Sequence, residues 1–153
     1  MWNPFKRNSE ILLNASDKQL LVQAIQTAEQ KTSGEIRVFI ESKLSAFDAV
    51  ASAKAVFVKN KMNETKDRNG VLIYIAVKDR KLAIYGDQGI HLKVGVDFWE
   101  KEVTAMVADF KSAHYVQGLV KVIKEVGDAL QLHFPYDRIS DTNELSDEIM
   151  VGR

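Results

Sequence analysis

Oxygen-bearing side chains recur in three separated parts of the chain, and together they could bind a hard cation. Glu35 opens an apolar stretch, Asp67 and Asn69 end a polar one, and Asp87 stands between Gly86 and Gly89. Calcium and magnesium prefer oxygen ligands from carboxylates, amides, backbone carbonyls and water. The sequence therefore predicts a divalent-cation site, for Ca²⁺ or Mg²⁺, whose metal ligands are Glu35, Asp67, Asn69 and Asp87.

These residues meet only if the strands that carry them end at one edge of a sheet. Segments 35–41 and 71–77 have the apolar, β-branched character of strands, and a predicted helix between them makes the two strands parallel with a right-handed crossover. Segment 82–85 follows the tight connection 78–80 and must run antiparallel to 71–77. The starts of the first two strands and the end of the third then lie at the same edge.

Other charged residues extend this hypothesis. The secondary metal candidates are Glu64, Asp79 and Asp97, of which Asp79 lies at the opposite end of the hairpin. Arg37 and Arg68 are candidates to neutralise some of the acidic charge or to bind an anion. We expect the two glycines that flank Asp87 to allow a sharp turn that directs a carboxylate and a carbonyl inward.

The same residues also have a simpler interpretation as turn and cap formers. Asp and Gly are common where strands end, and Asp97 stands where a helix N-cap is expected. The sequence has no DxDxDG calcium loop, and its histidines have neither HExxH spacing nor a carboxylate nearby in sequence, so we predict that they are structural or surface residues. The residues alone leave both interpretations open.

The pattern along the chain predicts an α/β fold. A first helix is expected from Ser16, with Ser16 and Gln19 as a capping box, to a stop at Gly34. Apolar periodicity predicts further helices from 45–48, from Asp97 and over 115–130, and it places Phe47, Val50, Ala51, Phe57 and Val58 on or near the inner stripe of the second. The expected architecture is a single domain, a small mixed β-sheet sandwiched between α-helices.

Charge and composition limit the partners and the compartment. The 153 residues include 21 basic and 21 acidic side chains, so the chain lacks the basic excess that attracts nucleic acid. There is no cysteine, which removes thiol catalysis and thiolate metal sites. We find no signal-peptide pattern and no membrane-spanning run, and we therefore expect a cytoplasmic protein. As a separate expectation, we take the chain to be a monomer.

The order of several short motifs resembles the TPM domain, a family named for a thylakoid lumen protein, a photosystem II repair protein and an acetylcholine-receptor modulator. The motifs are SGEIRV at 33–38 after an amphipathic helix, NGVLIY at 69–74, DRK at 79–81 and GDQGI at 86–90. The likeness runs from about residue 10 to about residue 134, and it includes FKSAHYVQG at 110–118. Many members carry a signal peptide and a membrane anchor, whereas this sequence instead has a polar, acidic tail typical of a soluble bacterial subgroup.

The resemblance implies an α/β sandwich with an acidic surface site for calcium or magnesium. Members have been described both as acid phosphatases and as accessory factors for membrane complexes. We therefore expect a TPM-like domain over residues 1–134 with an acidic C-terminal tail over 135–153. Its expected role is that of a non-enzymatic, cation-binding accessory or interaction module with an unidentified protein partner.

The alternative is a metal-dependent acid phosphatase that uses the same acidic edge. In that case a cation held by Glu35, Asp67 and Asp87 would polarise a phosphoryl oxygen and activate water, while Arg37 or Arg68 would hold the phosphate. No residue of the sequence stands out as a nucleophile or a general acid, so the catalytic residues of such an enzyme are not identified.

Overall fold

The computed structural model describes residues 13–136 and 149–151. These residues form five helices and four strands. They are α1 (Ala15–Glu29), β1 (Glu35–Glu41), α2 (Ala49–Lys59), β2 (Gly70–Ala76), β3 (Lys81–Gly86), α3 (Gln88–Val94), α4 (Val96–Lys111), α5 (Tyr115–His133) and β4 (Met150–Val151). The predicted fold class, a small mixed sheet between helices in one domain, is confirmed.

The sheet has the strand order β3-β2-β1-β4. β1 pairs with β2 in parallel and β2 pairs with β3 antiparallel, as the sequence predicts. Every residue of β2 is buried, because a central strand is covered on both faces. β1 is buried as well, apart from the half-buried Phe39.

Two hydrophobic clusters lie on opposite faces of the sheet. The larger one joins α1, α4 and α5 to the β1 side chains Ile36, Val38 and Ile40. The smaller one lies under α2 and contains Phe57 and Tyr74. Gly127 of α5 allows a close approach to α1, because a Cβ atom added there would lie 2.7 Å from the Cβ atom of Ala28.

The first helix begins and ends earlier than predicted. Its N-cap is Asn14, whose Oδ1 accepts the Asp17 N–H at 2.8 Å while Asp17 Oδ2 accepts the Asn14 N–H at 3.1 Å. Asn14 and Asp17 thus form the capping box that we assigned to Ser16 and Gln19, with an acid at the third helical position. The helix ends at a C-cap on Gln30, before Gly34.

The predicted inner stripe of α2 is largely wrong. Phe47 precedes the helix and is 89% exposed, and Val50 and Val58 are 60% and 52% exposed. The buried residues are Ser52, Ala53, Val56 and Phe57, because α2 begins at Ala49 and this face lies over β2 and β3.

A short helix that the sequence did not reveal follows β3. Asp87 is the N-cap of α3, and Gly95, at φ 81°, separates α3 from α4. The N-cap of α4 is therefore Gly95, and Asp97 lies in the first turn of that helix instead of capping it. The segment that we read as a turn is the start of a helix.

Parts of the predicted tail contact β1 and the segment before it. Pro135 forms an isolated bridge with Thr32, and the Tyr136 N–H donates to the Lys31 carbonyl at 3.2 Å. β4 pairs in parallel with Phe39 and Ile40 of β1. Residues 137–148 of the tail lie outside the described residues. Across the described ranges no helix is long and apolar enough to cross a membrane.

Candidate functional site

Three segments of the chain meet at one end of the sheet, which we call the strand-end edge (residues 33–35, 63–70 and 86–89). The Glu35 N–H donates to the Asn69 carbonyl at 3.4 Å, and the Asp87 N–H donates to the Gly70 carbonyl at 2.9 Å. The Gly89 N–H donates to the Arg68 carbonyl at 2.8 Å. The convergence predicted from the strand directions is therefore present.

An ion pair between Arg68 and Asp87 joins two of these segments. Arg68 Nε lies 2.7 Å from Asp87 Oδ2 and Nη2 lies 2.8 Å from Oδ1, so the guanidinium binds the carboxylate in a bidentate manner. The Asp87 side chain is 3% exposed and the Arg68 side chain 47% exposed. Hydrogen bonding to Asp87, together with its charge, raises the pKa of Arg68.

The Asp87 carboxylate also begins α3. Its Oδ1 accepts the Gln88 N–H at 2.7 Å, and the Asp87 carbonyl accepts the His91 N–H at 2.9 Å. Both carboxylate oxygens are thus engaged by protein donors, and a cation at Asp87 would compete with Arg68 for this carboxylate. This explains why an acid stands here: it ties the start of a helix to the loop before β2.

The glycines on either side of Asp87 serve close approach and not a sharp turn. Neither has a positive φ, so our expectation for them was wrong. A Cβ atom at Gly86 would lie 2.2 Å from the ring of Trp99, and one at Gly89 would lie 2.1 Å from the Asp67 carbonyl oxygen. Only glycine lets α4 and the 63–70 loop come this near to the end of β3.

The 63–70 loop carries polar atoms that have no protein partner. Ser33 Oγ donates to Asp67 Oδ2 at 3.5 Å and accepts from Asn69 Nδ2 at 3.1 Å. Thr65 is 6% exposed, and its Oγ1, like Asn63 Oδ1, is buried without a hydrogen-bond partner among the described residues. A buried hydroxyl without a partner destabilises a protein by about 1–3 kcal/mol. Thr65 Oγ1 and Asn63 Oδ1 thus lack a partner among the described residues.

The predicted site residues differ in accessibility. Asp67 and Glu64 are exposed at the strand-end edge, whereas Glu35, Asn69 and Arg37 are buried. Asp79 lies at the other end of the hairpin, where its Oδ2 accepts the Leu44 N–H at 2.7 Å.

Few acidic groups converge closely. Within residues 13–136 and 149–151, no group of three or more histidine, aspartate and glutamate side chains is arranged to hold a metal ion. A cation at the strand-end edge would therefore take most of its ligands from hydroxyl, amide, carbonyl and water oxygens, with Asp67 and Glu64 as the exposed carboxylates.

A groove beside the edge involves residues that the sequence did not single out. It has a volume of about 580 Å³ and lies along β3 between α2 and α4, where Lys54, Tyr85, His91 and Trp99 line it together with Arg68. The Trp99 indole N–H donates to His91 Nδ1 at 3.1 Å. Burial, with a smaller effect of the Asp87 charge, raises the pKa of Tyr85. The signal that could have drawn attention to this groove is the position of Tyr85, two residues before Asp87.

Two further polar clusters lie away from this edge. Between α4 and α5, Glu102 is 3% exposed, and burial together with a hydrogen bond to Glu125 raises the pKa of Glu102 to about 7. At the opposite end of β1, Glu41 accepts hydrogen bonds from Tyr74 and Ser45, and burial raises the pKa of Tyr74 to about 12. Neither cluster was predicted, because each depends on contacts between distant elements.

The fold and the site define a small α/β domain with a mixed sheet and a polar strand-end edge. The family model for the TPM domain matches residues 7–129, and the chain therefore belongs to the TPM domain family. A search of the curated proteins finds no match.

Solved structures share this architecture. The NMR structure of the BA42 protein from the psychrophilic bacterium Bizionia argentinensis is 44% identical, with a TM-score of 0.83 over 94% of this chain and 97% of that one. The N-terminal domain of the cg2496 protein from Corynebacterium glutamicum is 14% identical, with a TM-score of 0.60 over 77% of this chain and 74% of that one. An N-terminal domain from P. gingivalis is 12% identical, with a TM-score of 0.66 over 90% of this chain and 89% of that one. The last two share the fold alone.

Proposed function

We propose that this TPM domain is a non-enzymatic interaction module whose strand-end edge binds a divalent cation, Ca²⁺ or Mg²⁺, beside the surface that meets a protein partner. The observation that carries the proposal is the buried Thr65 Oγ1 without a partner, in the same short loop as the exposed Asp67 carboxylate. A hard cation would be the partner that this oxygen lacks, because such a cation accepts lone pairs from hydroxyl, amide and carboxylate oxygens alike.

Asp67 provides the charge at this site, and Thr65 and Asn69 belong to the same loop. Asp87 and Arg68 hold the loop in place through their bidentate ion pair, so the carboxylate that binds the cation is that of Asp67. The weakest natural calcium sites have a Kd on the order of 10⁻⁴–10⁻³ M, and because affinity falls with the number of charged ligands we expect this range here.

The test is a titration of metal-stripped, isotope-labelled protein with calcium and then with magnesium, followed by amide NMR shifts. We expect saturable shifts at residues 63–69 and at Ser33. Asp67→Asn should remove them, while Asp79→Asn is the matched control, since it neutralises an exposed turn carboxylate at the other end of the sheet. The proposal fails if nothing saturates by about 10 mM cation, well above the weakest natural range, or if only the Asp79 turn responds.

An assay of phosphate release on the same samples separates this proposal from a phosphatase. We expect no magnesium-dependent turnover of a generic phosphate monoester. Turnover that requires magnesium and disappears in Asp67→Asn would overturn the non-enzymatic role and leave the cation site standing.

A further inference from the structure

β3 is the outermost strand on one side of the sheet, and within residues 13–136 and 149–151 no strand pairs with its outer edge. The register pairs Val71 with Gly86, and the Asp87 N–H donates to the Gly70 carbonyl, so residues 81, 83, 85 and 87 direct their backbone groups toward β2. In an antiparallel ladder the intervening residues face the other way. The N–H and C=O groups of Leu82, Ile84 and Gly86 therefore point away from β2.

No described residue hydrogen bonds to these outward groups. The other side of the sheet is different: β4 pairs with part of the β1 edge, and the carboxylate of Glu29 accepts the outward Ile36 N–H at 2.7 Å. Proteins usually protect an open edge with lysine, proline, a bulge or a covering segment. β3 begins with the exposed Lys81, but the stretch 82–86 that follows contains neither lysine nor proline.

The open edge forms the floor of a groove with apolar walls. Two adjoining cavities, of about 580 Å³ and about 370 Å³, follow the strand from Leu82 to Asp87 and share Val50, Ile84 and Trp99 among their lining residues. Val50 from α2 and Val96 from α4 stand on opposite sides and are 60% and 56% exposed. Free ladder groups between apolar walls suit an extended strand and not a helix, since a helix satisfies its own backbone groups.

Two cationic side chains, Lys54 and Arg68, lie at the end of the groove beside Gly86, which we call the cationic end; the carboxylates of Asp87 and Glu100 line the same cavity. Lys54 is exposed, and no described residue pairs with it. Arg68 uses Nε and Nη2 for Asp87, which leaves Nη1 directed to no described partner. An acidic side chain at the matching end of a strand would meet these two groups.

We propose that β3 accepts an antiparallel strand from a partner protein, a segment of about six residues with apolar side chains at alternate positions and an acidic residue beside Arg68 and Lys54. The inference rests on the proposal that the domain is an interaction module, but it does not depend on the cation. Backbone pairing with Leu82, Ile84 and Gly86 provides the affinity, and the walls and the cationic end provide the selectivity.

The probe is the synthetic peptide acetyl-DTVTVTV-amide, added to the full chain and followed by amide NMR and hydrogen exchange. We expect the peptide to shift and protect the amides of Leu82, Ile84 and Gly86, with a Kd on the order of 10⁻⁴ M, since a six-residue strand is a small interface. Replacing the peptide's aspartate by asparagine should weaken binding, and a peptide with prolines at alternate positions should not bind because it cannot pair.

Matched variants of α2 test the wall and the cationic end. Val50→Glu should weaken binding roughly tenfold, whereas Val58→Glu, an equally exposed position of the same helix outside the groove, should not. Lys54→Glu should weaken binding and Lys59→Glu should not.

Three results would overturn the inference: no protection at Leu82, Ile84 and Gly86, equal binding of the proline peptide, or equal effects of Val50→Glu and Val58→Glu. Protection that rises with protein concentration in the absence of peptide would instead assign the edge to a second copy of this chain. Because the cation titration reports on residues 63–69, loss of cation binding with intact peptide binding refutes the cation proposal alone, and the reverse result refutes the strand proposal alone.

Discussion

Replacing Gly89 by alanine probes the contact that holds the strand-end edge together. Gly89 lies in the first turn of α3, and its N–H donates to the Arg68 carbonyl at 2.8 Å. A Cβ atom at this position would lie 2.1 Å from the Asp67 carbonyl oxygen and 2.6 Å from that of Arg68. Both contacts are to backbone, so no side-chain rotation relieves them.

Two effects of opposite sign decide the result. Alanine in a helix is favoured over glycine by about 0.5–1 kcal/mol. Against this, overpacking destabilises by about 1–3 kcal/mol, and separation of α3 from the loop weakens a hydrogen bond that contributes about 1 kcal/mol. The clash is with rigid backbone at far less than a normal contact distance, so we expect net destabilisation of roughly 2 kcal/mol, or about 4–8 °C in Tm for a domain of this size.

The assay is thermal unfolding of the wild type and Gly89→Ala, read together with the cation titration. The loop should move outward, so cation affinity should fall along with Tm. Gly95→Ala is the control, since Gly95 at φ 81° has no heavy atom within 4 Å of an added Cβ: it tests backbone strain without a clash, and it should lower Tm without changing cation affinity. An unchanged or higher Tm for Gly89→Ala would show that the close approach is not as described.

Three further predictions concern buried polar groups and the cap of α2. The pKa of Glu102 is raised from 4.5 to about 7, so the folded state holds a proton that the unfolded state loses, and wild-type stability falls as pH rises from about 4.5 to about 7. In denaturant unfolding, the free energy of unfolding of Glu102→Gln should match that of the wild type near pH 4 and exceed it by about 2 kcal/mol near pH 8. Glu100→Gln, at an exposed neighbouring position, should show no such gain. Thr65→Val removes the hydroxyl that has no partner, so it should raise stability in cation-free buffer by about 1 kcal/mol and weaken cation binding; a loss of stability would mean that the hydroxyl is hydrogen bonded. Asp48→Ala removes the acceptor of the Ala51 N–H at 2.8 Å and should destabilise by about 1 kcal/mol in the same unfolding assay, while Asp48→Asn should have little effect.

The sheet and the meeting of its ends were predictable because they follow from strand directions. An apolar run at 71–77 indicates a central strand, and a helical connection before it fixes the parallel pairing with 35–41. Both constraints follow from local sequence patterns and chain connectivity, and neither requires knowledge of the distance between two residues in the fold. They place Asp67, Asn69 and Asp87 at one edge of the sheet.

The partners of each residue at that edge were not predictable in the same way. A seven-residue helix such as α3 is shorter than the window over which apolar periodicity is measured, so the segment after Gly86 looked like a turn. The need for glycine at 86 depends on Trp99 of α4, and the need at 89 depends on the 63–70 loop. The sequence shows that these two residues are glycines, but only the packing of distant elements shows why glycine is required at each position.

The ion pair, the glycines and the open edge are consequences of one register. Because Asp87 pairs with Gly70, the backbone N–H and C=O groups of Tyr85 point toward β2, and those of Ile84 point toward the groove. A slip of one residue would move Asp87 away from Arg68, and it would also exchange the inward and outward groups of β3. The bidentate contact with Arg68 and the cap on α3 both oppose such a slip. An acid at this strand end therefore fixes the frame on which the cation loop and the groove along β3 both depend.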